Sequence, residues 1–213
     1  MNKLNSPLNT EARPTPPGYM KIVEALKQLL REKEFSAITW AEIARTAGVN
    51  EALIYKYFRG RRNLLYQVLH EYLEKYLIQI NEELKGTEGA LDKLRKLIRA
   101  HFNIYQDDRI FSRILLLEVR NYPDYFESGT YELVKLYGNK ILEIVEEGMN
   151  RGEIRSDISP RHLRQIIIGG IEHLCLPAIV FGHDFSPAQL AAELCSAILR
   201  GIIPERTKTQ ELG

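Results

Sequence analysis

The stretch "TWAEIARTAGVNEALIYKYFRGRR", residues 39–62, carries the strongest local structural signals of this 213-residue chain. It predicts two short helices joined at Gly48. Helices that cross steeply through so short a turn need a small side chain where their backbones approach, and a turn residue that tolerates a positive φ. Ala44 and Gly48 supply these two features. Thr39 and Glu42 have the spacing of a capping box, so the stretch predicts a helix-turn-helix unit.

A further amphipathic helix precedes this unit. Its apolar residues recur with the spacing of one helix face, and a second apolar set locks the three helices together. The first set is Ile22, Val23, Leu26, Leu29 and Leu30, and the second is Ile43, Ala47, Val49, Ile54 and Phe58. Residues 18–65 are therefore predicted to form a three-helix domain, which follows a disordered tail over residues 1–17.

The formal net charge of +1 conceals an asymmetry. Residues 1–65 hold eleven Lys or Arg against six Asp or Glu, whereas residues 66–213 hold eighteen against twenty-two. The cations that close the quoted stretch are Lys56, Arg59, Arg61 and Arg62. Such a cluster alone is also typical of a solvated helix start. Beside a helix-turn-helix pattern it indicates a surface that meets DNA phosphates.

The same stretch resembles the N-terminal signature of TetR-type bacterial regulators, T-x-x-x-I-A-x-x-A-G-V-x-x-x-x-[LI]-Y-x-Y-F-x-x-[KR]-x-x-L. The positions that fit are Thr39, Ile43, Ala44, Ala47, Gly48, Val49, Ile54, Tyr55, Tyr57, Phe58, Arg61 and Leu64. The resemblance covers residues 18–68. It implies a dimeric repressor that leaves its operator when a ligand binds the C-terminal domain, and it implies that Tyr55 and Arg61 contact the DNA backbone.

The helical period assigns DNA-contacting roles to the second helix of the unit. If Val49, Ile54 and Phe58 face the core, the opposite face and the N-terminal end of this helix meet the major groove. The residues predicted to contact bases are Asn50, Glu51, Ala52 and Leu53. Those predicted to contact phosphates are Thr39, Tyr55, Lys56, Tyr57 and Arg61. Leu53 and the acidic Glu51 depart from the family pattern, so the base preference of relatives does not transfer.

The remainder of the chain is also predicted to be helical. An unbroken apolar period indicates one long helix from Arg61 to about Leu84, and the segments that follow are amphipathic or apolar and are broken by Gly, Pro, Asp or Asn. The predicted fold class is all-α. It comprises an N-terminal three-helix DNA-binding domain with a helix-turn-helix, a long connecting helix, and a C-terminal helical bundle, residues 66–213, for ligand binding and dimerisation.

The last two predicted helices have the composition of a dimer interface. The run from Ile166 to Ile171 is too apolar for one surface stripe, and its glycines would let another helix approach closely. An operator with two-fold symmetry is also bound most readily by a dimer with the same symmetry. The predicted interface residues are Ile167, Gly170, Ile171, Leu194 and Ile198. The alternative is that this run is the core of a monomeric bundle.

Polar residues among apolar ones indicate a ligand pocket in the same bundle. Each of them alone is also typical of a surface or paired residue. The group is His101, Tyr105, Arg113, Glu118, Arg120, Tyr122, Tyr137 and His173. Abundant Leu and Ile around so few polar groups predict a mostly apolar effector with one polar or anionic end, such as an acyl or aromatic acid. Arg113, Arg120 or His101 would orient that end.

Catalytic and metal-binding chemistry find little support. His173 and Cys175 are two residues apart on an apolar helix and do not share a face, and no HExxH, GxSxG, Walker or GxGxxG pattern occurs. Cys175 and Cys195 lack a CxxC spacing, and no secretory or membrane-spanning segment is recognised. We therefore expect a cytoplasmic protein that is not an enzyme and that uses no metal or cofactor.

The predicted function is a TetR-type transcription regulator, a repressor by resemblance, that binds a palindromic operator as a homodimer and is released by a small-molecule effector. Two alternatives stay open. One is a constitutive architectural DNA-binding protein. The other is a small-molecule-binding or catalytic helical protein without DNA recognition, and Glu51 is the one feature in its favour.

Overall fold

The computed structural model describes residues 16–203. The tail predicted to be disordered, residues 1–17, lies outside the described residues except for its last two. The described chain is helical with no β-strand, which confirms the all-α fold class. The α-helices are α1 Pro17–Glu32, α2 Trp40–Ala47, α3 Glu51–Tyr57, α4 Arg61–Leu84, α5 Ala90–Asp107, α6 Arg109–Arg113, α7 Gly129–Asn150, α8 Pro160–Phe181 and α9 Pro187–Ile202.

Between α6 and α7 the chain leaves the regular α-helix. A π-helical turn, Ile114–Glu118, continues directly from α6. Two short 3₁₀ turns follow it, Val119–Asn121 and Pro123–Glu127. π-Helical turns are uncommon, and those that occur inside helices are often found at functional sites. This connection between α6 and α7 is therefore a candidate part of a binding site.

The chain divides into two compact units, one up to Val68 and one from Leu69. The helix-turn-helix lies in the first unit, and its local signals are confirmed. The Thr39 hydroxyl accepts a hydrogen bond from the backbone N–H of Glu42, whose carboxylate accepts one from the backbone N–H of Thr39, so both halves of the capping box are present. Gly48 ends α2 at φ 65°, a left-handed conformation that costs other residues about 1–2 kcal/mol.

The core of the first unit consists of the predicted apolar faces of α1, α2 and α3. The ring of Tyr19 on α1 stacks on the ring of Phe58 at 4.9 Å. The first turns of α4 complete this core with Leu64 and Leu65, both fully buried. The long helix predicted from Arg61 to about Leu84 is confirmed as α4.

The second unit is built around α5, which packs against α7, α8 and α9. The side chains at its centre are fully buried and come from all of these helices. They include Leu94, Leu97, Ile98, Phe102, Val119, Ile141, Val145, Ile167 and Ile171. The apolar run on α8 therefore packs largely within its own chain.

This packing corrects the predicted dimer interface. Ile167 and Ile171 are 0% exposed within one chain, and Leu194 is also buried. A Cβ added at Gly170 would lie 2.9 Å from Cδ1 of Leu194, so Gly170 lets α8 approach α9 of the same chain. Of the predicted set, Gly170 and Ile198 keep intermediate exposure. The prediction of these residues as a dimer interface was wrong because a wholly apolar run does not reveal which face of the helix packs inside its own chain.

The outer face of α8 is exposed and partly apolar. Ile166 is 55% exposed, and a Cβ at Gly169 would have no neighbour within 4 Å. Among the described helices, α8 alone is long and apolar enough, by length and composition, to cross a membrane, with mean hydropathy 1.4 over its most apolar window. Core helices of soluble proteins pass the same test, and its inner face is part of the core described above.

Candidate functional site

The first candidate site is the exposed face of α3. Glu51, Ala52, Tyr55 and Lys56 are all exposed on this short helix, and Arg59 is exposed just beyond it. Tyr55 is 57% exposed, and its ring meets the edge of the Trp40 ring with the centroids 5.5 Å apart. An exposed aromatic hydroxyl beside cations is suited to phosphate contacts, so this face matches the predicted stripe.

Two of the predicted DNA-contacting residues cap helices instead of presenting free polar groups. The side-chain oxygen of Asn50 accepts a 2.9 Å hydrogen bond from the backbone N–H of Leu53 at the start of α3. The Thr39 hydroxyl caps α2. A bidentate contact to adenine needs both the oxygen and the nitrogen of an Asn side chain. The capping bond already uses one acceptor site of the Asn50 oxygen. The presence of Asn at this position is therefore explained by its role as the N-cap of α3.

Three other predicted DNA contacts are engaged in packing. Leu53 lies against α1, where a Cβ at Gly18 would be 2.8 Å from Cδ2 of Leu53. The Tyr57 ring meets the edge of the Tyr19 ring at 5.7 Å between centroids. Arg61 donates a hydrogen bond to the backbone oxygen of Ile38. These side chains pack α3 against α1 and tie the start of α4 to the segment that precedes α2.

The second candidate site is a cavity inside the second unit, between α4, α5, α7 and α8, with a volume of about 80 Å³. Its walls are mostly apolar or aromatic. The lining residues are Tyr72, Leu73, Tyr76, Leu77, Ile80, His101, Ile104, Tyr105, Leu115, Arg120, Leu133, Val134, Tyr137, Ile168 and Glu172. Leu115 comes from the π-helical turn.

Four of the eight residues predicted to bind a ligand line this cavity. They are His101, Tyr105, Arg120 and Tyr137. The other four lie outside its lining. Tyr122 donates a hydrogen bond to Glu118 at 3.1 Å, His173 is exposed on α8, and Arg113 is engaged in an interaction of its own. Helical periodicity alone could not separate the two groups, because it does not show which helix faces converge.

The polar groups of the cavity interior are uncharged near neutral pH. The Nδ1 atom of His101 is 2.5 Å from the Tyr137 hydroxyl oxygen, and its ring meets the edge of the Tyr105 ring at 4.6 Å between centroids. Burial lowers the pKa of His101 to about 4. Burial also raises the pKa values of Tyr105 and Tyr137 well above their usual range. The interior therefore offers hydrogen bonds without net charge.

Tyr72 was not identified from sequence as a site residue, because its spacing on α4 is that of an ordinary core position. Its hydroxyl lies 3.3 Å from the Asp108 backbone oxygen and 3.3 Å from Ser112 Oγ. It also lies 3.4 Å from the Ile104 backbone oxygen. These contacts join α4 to the junction of α5 and α6. Burial raises the pKa of Tyr72, so the hydroxyl keeps its proton and remains a donor.

One ion pair stands at the edge of the cavity. Nη1 of Arg120 donates to Oε2 of Glu172 at 2.9 Å, and Nη2 donates to Oε1 at 2.6 Å. This fork-to-fork geometry is strong and directional, and it raises the pKa of Arg120. Within residues 16–203, no group of three or more His, Cys, Asp or Glu could hold a metal ion.

Both units have recognised relatives. Residues 22–68 match the family "Bacterial regulatory proteins, tetR family", and residues 69–201 match "YsiA-like protein, C-terminal region". The two matches meet where the chain divides into units. The second match alone covers more than half of the chain.

Similar proteins are transcription regulators and not enzymes. The chain is 26% identical over 186 residues to the fatty acid metabolism regulator protein of Bacillus subtilis (strain 168), which covers 87% of this chain and 96% of that protein. It shares its fold with the transcriptional regulator FadR from Bacillus subtilis in complex with stearoyl-CoA, at a TM-score of 0.77 and 25% identity over 86% of this chain and 99% of that one. The fatty acid degradation regulator FadR from Bacillus halodurans has the same fold, at a TM-score of 0.75 and 22% identity over 87% and 96% of the two chains. The chain therefore belongs to the TetR family of bacterial transcription regulators.

Proposed function

We propose that this protein is a cytoplasmic, homodimeric repressor that binds a palindromic operator and leaves it when a long-chain acyl-coenzyme A thioester binds the second unit. The observation that carries the proposal is the apolar cavity with uncharged polar groups. The 26% identical fatty acid metabolism regulator and the stearoyl-CoA complex of a structural relative support the choice of effector.

The chemistry of the cavity favours a thioester over a free acid. Its walls suit an alkyl chain, and the hydroxyls of Tyr105 and Tyr137 suit a neutral carbonyl oxygen. A carboxylate would bring in a negative charge, and the one cation of the lining, Arg120, already pairs with Glu172. Burying an uncompensated charge is costly, so the neutral thioester is the better occupant.

The small volume of the cavity explains how effector binding would change the conformation of the protein. About 80 Å³ has room for roughly five to eight water-sized groups at ~10–15 Å³ each, which is fewer than the carbon atoms of a stearoyl chain. A long acyl chain therefore binds only if the walls move apart. One wall is the face of α4 that carries Tyr72, Tyr76 and Ile80. The effector and the present position of α4 exclude each other, so the effector selects a second state.

The DNA-binding part of the proposal rests on the exposed face of α3. Glu51 and Ala52 are exposed in its first turn and would meet base edges, whereas the exposed Tyr55 and Lys56 would meet phosphates. Asn50, Thr39 and Arg61 contribute mainly by capping and packing.

Lys56 and Arg61 form a matched pair for testing this division. Lys56→Ala should weaken binding to DNA from upstream of the protein's own gene, flatten the salt dependence by about one unit, and leave the free energy of unfolding unchanged. Arg61→Ala should also lower the free energy of unfolding by about 1–3 kcal/mol, because the Ile38 oxygen loses a charged donor. Fluorescence anisotropy at several salt concentrations and urea unfolding followed by the single tryptophan, Trp40, measure the two effects. Equal stability of the two variants would contradict the packing role of Arg61.

The proposed dimer uses the exposed stripe of α8. Its members recur at helical spacing and are Ile166, Gly169, His173, Pro177 and Val180. Isologous pairing of this stripe around a two-fold axis would cover apolar surface that a monomer leaves in water.

Two adjacent glycines distinguish dimer contacts from core contacts. Gly169→Arg should give folded monomers, because the side chain points into open space in one chain and would obstruct a facing copy of α8. Gly170→Arg should instead lower the melting temperature, since its Cβ would meet Leu194 of the same chain. Sedimentation velocity and thermal unfolding report the two effects. A wild-type protein that sediments as a monomer at micromolar concentration would refute the dimer.

The effector is tested by filling the cavity. Stearoyl-CoA should weaken operator binding by the wild-type protein about 5–150-fold. Leu133→Trp, whose side chain enters the cavity, should bind the operator normally and lose this response. Leu136→Trp, on the exposed face of the same helix, is the control and should respond like the wild type. Operator binding by the wild type that ignores stearoyl-CoA would rule out this effector.

A further inference from the structure

A polar cleft of about 520 Å³ adjoins the effector cavity in the second unit. It lies between α7, α8 and the 3₁₀ turn before α7. Four residues line both spaces: Arg120, Val134, Ile168 and Glu172. The Arg120–Glu172 ion pair therefore stands at the boundary between an apolar cavity and a larger, polar cleft whose volume is in the usual range for ligand sites.

Two further cations line the cleft. Arg164 on α8 lies over Gly138 of α7, where an added Cβ would be 3.9 Å from Cδ of Arg164. No carboxylate within residues 16–203 pairs with Arg164. Lys135 contacts Glu132 at 2.5 Å, but both side chains are about half exposed. Exposed pairs of this kind contribute little, so Lys135 can turn to another anion. The cleft thus presents cations that a phosphate could pair with.

An aromatic wall completes the cleft. Tyr125, Phe126 and Tyr131 contact one another edge to face, with centroids 5.0–5.5 Å apart. Tyr125 is buried, whereas Phe126 is 44% exposed. The cluster therefore holds an apolar ring in place at the cleft while part of its surface remains open. An exposed ring beside cations is suited to stacking against a nucleobase whose phosphates the cations bind.

We propose that this cleft binds the phosphorylated adenosine head group of the acyl-coenzyme A effector. Arg164 and Lys135 bind the phosphates, and Phe126 stacks on the adenine. The pantetheine arm crosses beside the Arg120–Glu172 pair, and the acyl chain enters the cavity. This assignment rests on the proposed function, and it adds a residue-level site for the half of the effector that the apolar cavity cannot hold.

The experiment compares two thioesters that share an acyl chain. Stearoyl-CoA carries the nucleotide, and stearoyl-pantetheine lacks it. Their dissociation constants are measured by calorimetry for the wild type, for Arg164→Ala, and for Arg161→Ala, which removes the same charge from an exposed position one turn earlier on α8 and outside the cleft. Stearoyl-pantetheine also reports whether each variant keeps a folded cavity.

The wild type should bind stearoyl-CoA at least about tenfold more tightly than stearoyl-pantetheine. Arg164→Ala should lose about tenfold in affinity for stearoyl-CoA and keep its affinity for stearoyl-pantetheine, as expected for one charged hydrogen bond. Arg161→Ala should match the wild type with both ligands. Lys135→Ala should behave like Arg164→Ala.

The assignment is overturned if the wild type binds both thioesters equally, or if Arg164→Ala and Arg161→Ala have the same effect. If the wild type binds neither thioester, the proposed effector is wrong. Binding of free coenzyme A then tests the nucleotide site in the cleft independently of the acyl chain. Binding of coenzyme A that Arg164→Ala weakens and Arg161→Ala does not would retain the nucleotide site. No binding of coenzyme A would remove it.

Discussion

The structure depends on one uninterrupted helix, α4, whose side chains belong to the cores of both units. Leu64 and Leu65 are fully buried in the first unit, and the Tyr72 hydroxyl contacts backbone oxygens at the junction of α5 and α6 in the second. Successive turns of a helix are joined by backbone hydrogen bonds, so one turn rarely shifts without its neighbours. An effector that displaces the cavity-lining turns of α4 therefore acts on a helix that the DNA-binding unit also uses.

The chemistry of the cavity explains why an acyl chain would be able to displace α4. Burial lowers the pKa of His101 and raises the pKa values of Tyr105 and Tyr137, so these three groups add no charge to the interior but can hydrogen-bond a carbonyl oxygen. Each methylene that leaves water contributes roughly 0.8 kcal/mol, so the free energy available to part the walls grows with chain length. Short acids lack that free energy. The cleft beyond Arg120 and Glu172 would then supply the part of the affinity that depends on charge.

Local features such as caps and helix spans were predictable from sequence. Which helix faces come together in the core and around the cavity was not. The capping box of Thr39 and Glu42, the positive φ of Gly48 and the span of α4 follow from residue type and spacing. The cap formed by Asn50 was missed because an Asn before a helix suits a cap and a base contact equally well. Ile167 and Ile171 were misassigned because α8 is apolar on nearly all sides. The lining of the cavity depends on where the π-helical turn after α6 brings Leu115 and where the following 3₁₀ turn brings Arg120. No periodicity in the sequence encodes those positions.

In the proposed switch, the effector and the operator bind different states of one molecule. Calorimetry at one salt concentration gives the dissociation constant of stearoyl-CoA for the free protein and for the protein saturated with operator. Stearoyl-CoA should bind the operator complex more weakly, by the same factor by which it weakens operator binding, because coupling between two sites is reciprocal. Equal affinity for the two forms would refute the switch, since a ligand without differential affinity shifts no equilibrium.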